Sequence, residues 1–139
     1  MRLTALASYG ILDTMPEEDF DDAVQLARQL CDAPVSLVSL VADGRQWFKA
    51  RSGTSLTETA LDASVCAHAL AEPDLLVVED MASDLRTRDN PLVVGEPFLR
   101  EQDGQRIEFL AVAAARHPHL QRGIGAQVRH DLLAQGSEK

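Results

Sequence analysis

An apolar hairpin at residues 35–53 constrains the fold of this chain more than any other stretch. The sequence VSLVSLVADGRQWFKARSG begins with a nearly continuous apolar run, typical of a strand that is fully buried on one face and largely buried on the other. Residues 42–44 (Ala-Asp-Gly) supply a turn, since glycine adopts positive φ at no steric cost. Residues 45–51, which include Trp47 and Phe48, predict the returning strand. We therefore expect this hairpin to be the spine of a sheet.

Amphipathic segments precede the hairpin and are expected to cover the sheet. Residues 2–14 predict a short helix followed by a turn. The acidic residues after Pro16 favour the positive end of a helix dipole, which predicts a second helix with this proline in its first turn. Pro34 ends that helix, because proline disfavours the α conformation in the residue before it. Its apolar stripe has a 3.6-residue period and consists of Phe20, Val24, Ala27, Leu30 and Cys31.

Shorter elements are predicted after the hairpin. Asp62 or Ser64 is placed to cap a short helix. Residues 75–78 (LLVV) form an apolar run consistent with a buried strand. The charged and turn-forming residues of 81–93 predict an ordered loop with a single helical turn.

Length and composition indicate one globular domain and exclude some classes of partner. A chain of 139 residues can bury about two thirds of its unfolded surface. Its net charge of −9 disfavours direct binding of nucleic acid. Its apolar runs are far shorter than the roughly 20 residues that cross a bilayer, and the first residues lack the pattern of a leader peptide. We expect a cytoplasmic protein with neither nucleic acid nor a membrane as its partner.

Cysteine spacing and charge distribution add two further expectations. Cys31 and Cys66 lie in apolar contexts without the spacing of metal ligands, so they predict reduced core thiols and no metal site.

Residues 1–99 hold 7 Lys and Arg against 17 Asp and Glu, whereas residues 100–139 hold 6 against 5. This shift suggests two pieces of different origin, a domain at 1–99 and a tail at 100–139.

Four blocks within residues 3–97 occur in an order that resembles the N-terminal two thirds of a GAF domain. They are the two helical segments (ALASYGILDTMPEEDFDDAVQLARQL), the hairpin, ETALDASVCAHAL, and LLVVEDMASDLRTRDNPLVVGEP. The chain is similar to the sensory kind found upstream of bacterial histidine kinases and diguanylate cyclases. The resemblance implies an α/β (α+β) fold with an antiparallel sheet of about six strands and helices packed on one face. It also implies a small-molecule pocket on the other face, under the loop at 79–95. Such domains bind ligands or relay signals through their terminal helices, which leaves a homodimer through those helices open.

The sequence departs from the GAF pattern at two places. Thr87 stands where the family has phenylalanine, which predicts the loss of an apolar plug. After Phe98 the chain reaches Glu101 almost at once, where the family continues with a long strand. We therefore expect one inner strand to be missing or shortened, and each backbone group left unpaired in the interior costs about 1–3 kcal/mol.

The tail has two interpretations. Residues 105–136 either complete the GAF sheet with a strand and an exit helix, or resemble the acetyl-CoA-binding strand, loop and helix of Gcn5-related N-acetyltransferases. In that family two glycines let backbone N–H groups bind the cofactor pyrophosphate, and Gly123 and Gly125 supply such a pair here. Acetyl-CoA belongs to this alternative alone, and the GAF interpretation implies no cofactor.

The candidate ligand contacts lie in the hairpin, the short helix and the loop. Under the GAF resemblance the loop is a lid above the hairpin aromatics; under the simpler interpretation it is a solvated loop held by Asp–Arg pairs. Cys66 and His68 are not expected to form a catalytic pair, because helical residues two apart diverge by about 200°. The candidate residues are Trp47, Phe48, His68, Asp80, Arg86 and Asn90.

These observations predict a GAF-type sensory or regulatory module of bacterial signal transduction. It is expected to bind an unidentified small molecule or to relay a signal through its helices, and not to be an enzyme. The alternative is a truncated or fused remnant with an N-acetyltransferase-like tail.

Overall fold

The computed structural model describes residues 2–72 and 76–95, together with the backbone of three short strands at 101–102, 105–106 and 109–111. The fold is mixed α+β, as the sequence predicts. The elements in chain order are α1 (Arg2–Tyr9), α2 (Glu18–Leu30), β1 (Ser36–Val41), β2 (Arg45–Ser52), β3 (Glu58–Ala60), a 3₁₀ turn (Leu61–Ala63), α3 (Cys66–Ala69), β4 (Leu76–Val78), α4 (Pro91–Val94), β5 (Glu101–Gln102), β6 (Gln105–Arg106) and β7 (Phe109–Ala111).

The predicted hairpin is confirmed. Strands β1 and β2 pair antiparallel across the turn at 42–44, where Gly44 has a φ of 74°. The register shifts between Val38 and Ser39, which forms a bulge that the sequence did not predict. The expectation that β1 buries one face fully is wrong, because its side chains are half-buried up to Val41. Strand β3 pairs with the other edge of β2 and gives the sheet order β1-β2-β3.

Helix α2 covers the hairpin, but its ends differ from the prediction. Its N-cap is Glu17, so Pro16 precedes the helix and is not part of its first turn. The apolar stripe is buried only at Val24, whereas Leu30 is exposed. In the last turn Arg28 takes the inward position instead, donating hydrogen bonds to the Ala33 carbonyl and to the Ser52 hydroxyl.

The strands form three small antiparallel sheets in the part of the chain that is described. Strand β4 pairs with β7, with Leu76 opposite Ala111, and β5 pairs with β6. One continuous sheet of about six strands, which the GAF resemblance implies, is not seen among these strands. The division of the chain at residues 99 and 100 stays a prediction.

A compact apolar cluster lies between α3, β4 and the loop that follows β4. Its buried members come from every element around it, so the loop packs against a core of its own. The cluster consists of Val65, Ala69, Leu76, Val78, Met81 and Val93.

The two faces of the β1-β2-β3 sheet carry different elements. Neighbouring residues of a strand point to opposite faces, and Arg45 binds Asp13 whereas Gln46 binds Ser64. Helix α2 packs on β1 and β2 from the side of Asp13, and α3 approaches β1 from the side of Ser64. The main helix thus lies on one face as expected, but the short α3 lies on the other. Among the helices described, none is long and apolar enough to span a bilayer.

Candidate functional site

The loop from residue 80 to residue 90 connects β4 to α4 and is held by its own hydrogen bonds. The Asp80 carboxylate accepts from the Ala82 backbone N–H at 3.0 Å and from the Ser83 hydroxyl at 2.8 Å. Thr87 is fully buried, and its hydroxyl donates to the Met81 carbonyl at 2.7 Å. Threonine is thus buried here with its one polar atom satisfied, and the loss of an apolar plug stays a prediction.

Asp84 and Arg86 form the shortest ion pair described in the loop. Arg86 Nε and Nη2 donate to the two Asp84 carboxylate oxygens at 2.9 and 2.6 Å, and the Arg86 backbone N–H donates to the same carboxylate at 2.8 Å. These hydrogen bonds lower the pKa of Asp84 to about 2. The carboxylate is therefore ionised throughout the physiological range, and it compensates the guanidinium charge.

Arg86 also ties the loop to two other elements. Its Nη2 donates to the Val77 carbonyl of β4 at 3.2 Å, and its Nη1 lies 3.7 Å from the Glu72 carboxylate after α3. About 39% of its side chain stays exposed. Arg86 thus links the loop, β4 and the segment after α3, and part of its guanidinium stays exposed to solvent.

Asn90 is a buried structural residue at the start of α4. Its Oδ1 accepts from the Leu92 backbone N–H and so caps the helix, and its Nδ2 donates to the Ala63 carbonyl at 3.1 Å. Both ends of the amide are therefore used, and they fix the loop against the 3₁₀ turn.

Cys66 and His68 diverge on α3, as the sequence predicts. His68 is exposed. Cys66 is turned inward, and burial raises the pKa of its thiol. A buried thiol of raised pKa is a poor nucleophile. Cys31, in contrast, is exposed, so the prediction of two core thiols is wrong for that residue.

Sequence reasoning missed a buried polar network beneath α3. Ser64 donates a hydrogen bond to Gln46 Oε1, and Gln46 Nε2 donates to Cys66 Sγ at 3.1 Å. Ser64 also accepts from the Ala67 backbone N–H at 3.0 Å. The N-cap residue of α3 is Val65, so the prediction that Asp62 or Ser64 takes the cap position is wrong. Thr59 lies opposite Gln46 on β3, and its buried hydroxyl has no hydrogen-bond partner among the described residues.

The two aromatic candidates do not share a site. Trp47 and Phe48 are consecutive on β2, so their side chains point to opposite faces of the sheet. Phe48 is buried on the side of Gln46 and α3, whereas Trp47 is half-buried on the side of the N-terminal segment. The alternation was readable from the sequence, and it separates Trp47 from the loop candidates.

Lys49 was also missed, although it is the most completely buried charged residue described. Its Nζ donates to the Thr14 hydroxyl at 2.7 Å and to the Met15 carbonyl at 2.8 Å, and it lies 2.5 Å from the Glu17 carboxylate. The Phe20 ring centroid is 5.4 Å away. The sequence did contain a sign of this contact. Lys49 lies on a predicted strand of the sheet that the acidic start of the second helix is expected to cover.

Two further predictions concern acetyl-CoA and a metal ion. Gly123 and Gly125, the candidate acetyl-CoA contacts, lie outside the described residues. Within residues 2–72 and 76–95, no group of three His, Cys, Asp or Glu side chains is arranged to hold a metal ion.

Comparison with known proteins gives one informative match. No protein-family model matches the chain. The chain is 35% identical over 91 residues to cyclic di-GMP phosphodiesterase PA2567 of Pseudomonas aeruginosa. The match covers 66% of this chain but only 16% of the relative. At a coarse level it supports a bacterial signalling module, and it gives no support to an N-acetyltransferase.

This match corrects one expectation. The sequence predicted a protein that is not an enzyme, yet the relative is named as a phosphodiesterase. The prediction is therefore wrong on the comparison at hand.

Proposed function

We propose that this chain is a GAF-type sensory segment of a bacterial cyclic di-GMP signalling protein. The observation that carries the proposal is the 35% identity to a short stretch of a cyclic di-GMP phosphodiesterase. A stretch that makes up 16% of that relative fits a module that regulates or assists the activity of a longer polypeptide. We propose cyclic di-GMP turnover as the activity of the polypeptide to which such a module belongs.

We propose that the module binds a small molecule on the face of the sheet that carries Phe48, beneath the loop at 80–90. Two observations support this face. The Thr59 hydroxyl is buried there without a partner, which is the kind of group that a bound polar molecule satisfies. Arg86 and His68 lie on the same side as α3 and β4, with exposed N–H groups. Asp80 and Asn90 shape the loop, and Trp47, on the opposite face, takes no part.

The proposal is tested by thermal unfolding of the full chain with cyclic di-GMP and with cyclic mononucleotides as probes. A ligand at about 100 times its dissociation constant stabilises the folded state by roughly 2.7 kcal/mol, which raises the melting temperature by several degrees. Arg86→Gln is expected to raise the ligand concentration needed for a given rise in melting temperature about tenfold, because a charged hydrogen-bond donor is lost. Arg88→Gln is the matched control, because the ion pair of Arg88 among the described residues is to the exposed Asp89.

Each variant is compared with its own ligand-free melting temperature, since Arg86 also stabilises the loop. Equal rises in the two arginine variants would place the ligand away from Arg86. The absence of a rise with every probe, at millimolar concentration, would contradict ligand binding by this module. A homodimer through the terminal helices stays a separate prediction, which sedimentation velocity checks.

A further inference from the structure

The N-terminal segment from residue 10 to residue 17, called the strap below, crosses from α1 to α2 along the sheet. It begins at Gly10, which has a φ of 58°, and contains Asp13, which has a φ of 60°. Its side chains are exposed apart from Ile11 and Leu12, which are half-buried. The strap therefore contributes little apolar burial of its own, and other contacts must hold it in place.

Strand β2 supplies those contacts through two basic residues on one face. Lys49 reaches three strap residues, through a hydroxyl, a carbonyl and a carboxylate, and all three of its N–H donors are thus engaged. Arg45 binds Asp13 at 2.6 Å on the strap and Glu58 at 2.5 Å on β3. The strap is thus held mainly by polar contacts to two side chains of one strand.

The partners on the two sides differ in exposure. Lys49 is fully buried, whereas Asp13 and Glu17 are 62% and 58% exposed. Helix α1 has no buried residue, and its described tie to the sheet is a hydrogen bond from the Arg2 guanidinium to the Val41 carbonyl. The described contacts of the segment before α2 are therefore separate from the Val24 packing that holds α2 on the hairpin.

We propose that the strap is a releasable element, with Lys49 as its latch, and that its release frees α1 while the hairpin and α2 stay folded. The device goes beyond the proposed ligand site, and it is tested without any ligand. It gives the module two arrangements of its N-terminal helix, which is what a switch requires.

Trp47 is a built-in reporter of the strap. It is the single tryptophan of the sequence, it is half-buried, and it lies on β2 between Arg45 and Lys49 on the face that binds the strap. Release of the strap should expose its ring to a soluble quencher. Acrylamide quenching of Trp47 fluorescence therefore measures strap release in the full chain.

Two variants weaken the latch from opposite sides: the first removes all three Lys49 contacts, and the second leaves those to Thr14 and Met15 in place. Lys49→Met deletes the buried amine, and the double variant Asp13→Asn with Glu17→Gln deletes the exposed carboxylates of the strap. Arg51→Met is the matched control, since Arg51 is an exposed basic residue on the same strand. We expect the quenching constant to rise at least twofold in both latch variants and to stay unchanged in the control. Amide exchange of α1 should accelerate about 10- to 100-fold, the range set by losing one charged hydrogen bond, while exchange of β1 and β2 stays unchanged.

The outcomes separate release from unfolding. Faster exchange throughout β1 and β2 in the double variant would make these contacts part of the global fold and overturn the proposal. Unchanged quenching and unchanged α1 exchange in the double variant would also overturn it. If Lys49→Met gives no cooperative melt, the double variant decides alone, because its changes lie on the exposed side. Failure of the ligand test above would leave each of these results intact.

Discussion

Gly53 follows β2 and lies against the Pro34 backbone in the connection between α2 and β1, and its replacement by alanine tests this close approach. Gly53 has a φ of 84°, and a Cβ built on it would lie 1.9 Å from the Pro34 carbonyl oxygen and 3.0 Å from the Pro34 carbonyl carbon. No rotamer change relieves this contact, since both atoms belong to the backbone. Arg28 fixes the same corner by binding both the Ala33 carbonyl and the Ser52 hydroxyl.

The expected cost of Gly53→Ala has two parts. The left-handed backbone of a non-glycine residue costs about 1–2 kcal/mol. Moving the Pro34 backbone to make room costs about 1–3 kcal/mol more, as for other overpacked sites. We expect a total loss of about 3 kcal/mol in the free energy of unfolding, measured by urea denaturation followed by circular dichroism.

Gly44→Ala is the matched control for the backbone part. Gly44 has a φ of 74°, and its Cβ would meet no atom within 4 Å. This variant is expected to lose only about 1 kcal/mol. Equal losses in the two variants would show that the Pro34 contact contributes nothing and would refute the packing argument.

Three further predictions concern the loop and the thiols. Thr87→Val should lower the free energy of unfolding by about 1–2 kcal/mol, because the Met81 carbonyl loses its buried donor, whereas Thr87→Ser should retain that hydrogen bond; urea midpoints check both. The pKa of Asp84 is about 2 in the fold against an ordinary 3.8, so its stabilising effect is present above about pH 4 and is lost as the pH falls through 2. The stability difference between the protein and Asp84→Asn should shrink over that interval, and a constant difference would refute the ion pair. Cys31 should react with Ellman's reagent at once in the native state and Cys66 only slowly, with both reacting fast in urea; two fast thiols in the native state would contradict the burial of Cys66.

Local patterns were sufficient for the elements that depend on nearby residues. The hairpin turn at 42–44, α2 and the single helical turn expected near the end of the loop follow from glycine freedom, a 3.6-residue period and turn chemistry. The bulge between Val38 and Ser39 did not follow, because register depends on what packs on both faces of the strand. The exposure of Cys31 did not follow either. The apolar stripe predicts which face of the helix points inward, but it does not predict how far the sheet beneath that face extends.

The candidate site shows the same division. Asp–Arg pairing in the loop belongs to the simpler of the two sequence interpretations, and the structure has such a pair between Asp84 and Arg86. The burial of Lys49 was not predicted, because a lysine on a strand is exposed unless a distant segment supplies its partners. The grouping of Trp47 with Phe48 overlooked the alternation of strand side chains, which the sequence alone reveals.

The Asp84–Arg86 pair also determines what kind of ligand the loop can recognise. Asp84 stays ionised down to about pH 2, so in the wild-type chain an anion that contacts Arg86 must share a charge that is already compensated. Asp84→Asn keeps the shape of the side chain and removes its charge, which leaves the Glu72 carboxylate, 3.7 Å from the guanidinium, as the remaining anion in the described contacts of Arg86. An anionic ligand such as a cyclic nucleotide should then bind this variant several-fold more tightly, whereas a neutral ligand should not. Weaker binding of cyclic nucleotides to Asp84→Asn in a calorimetric titration would mean that the pair acts on the ligand only through the shape of the loop.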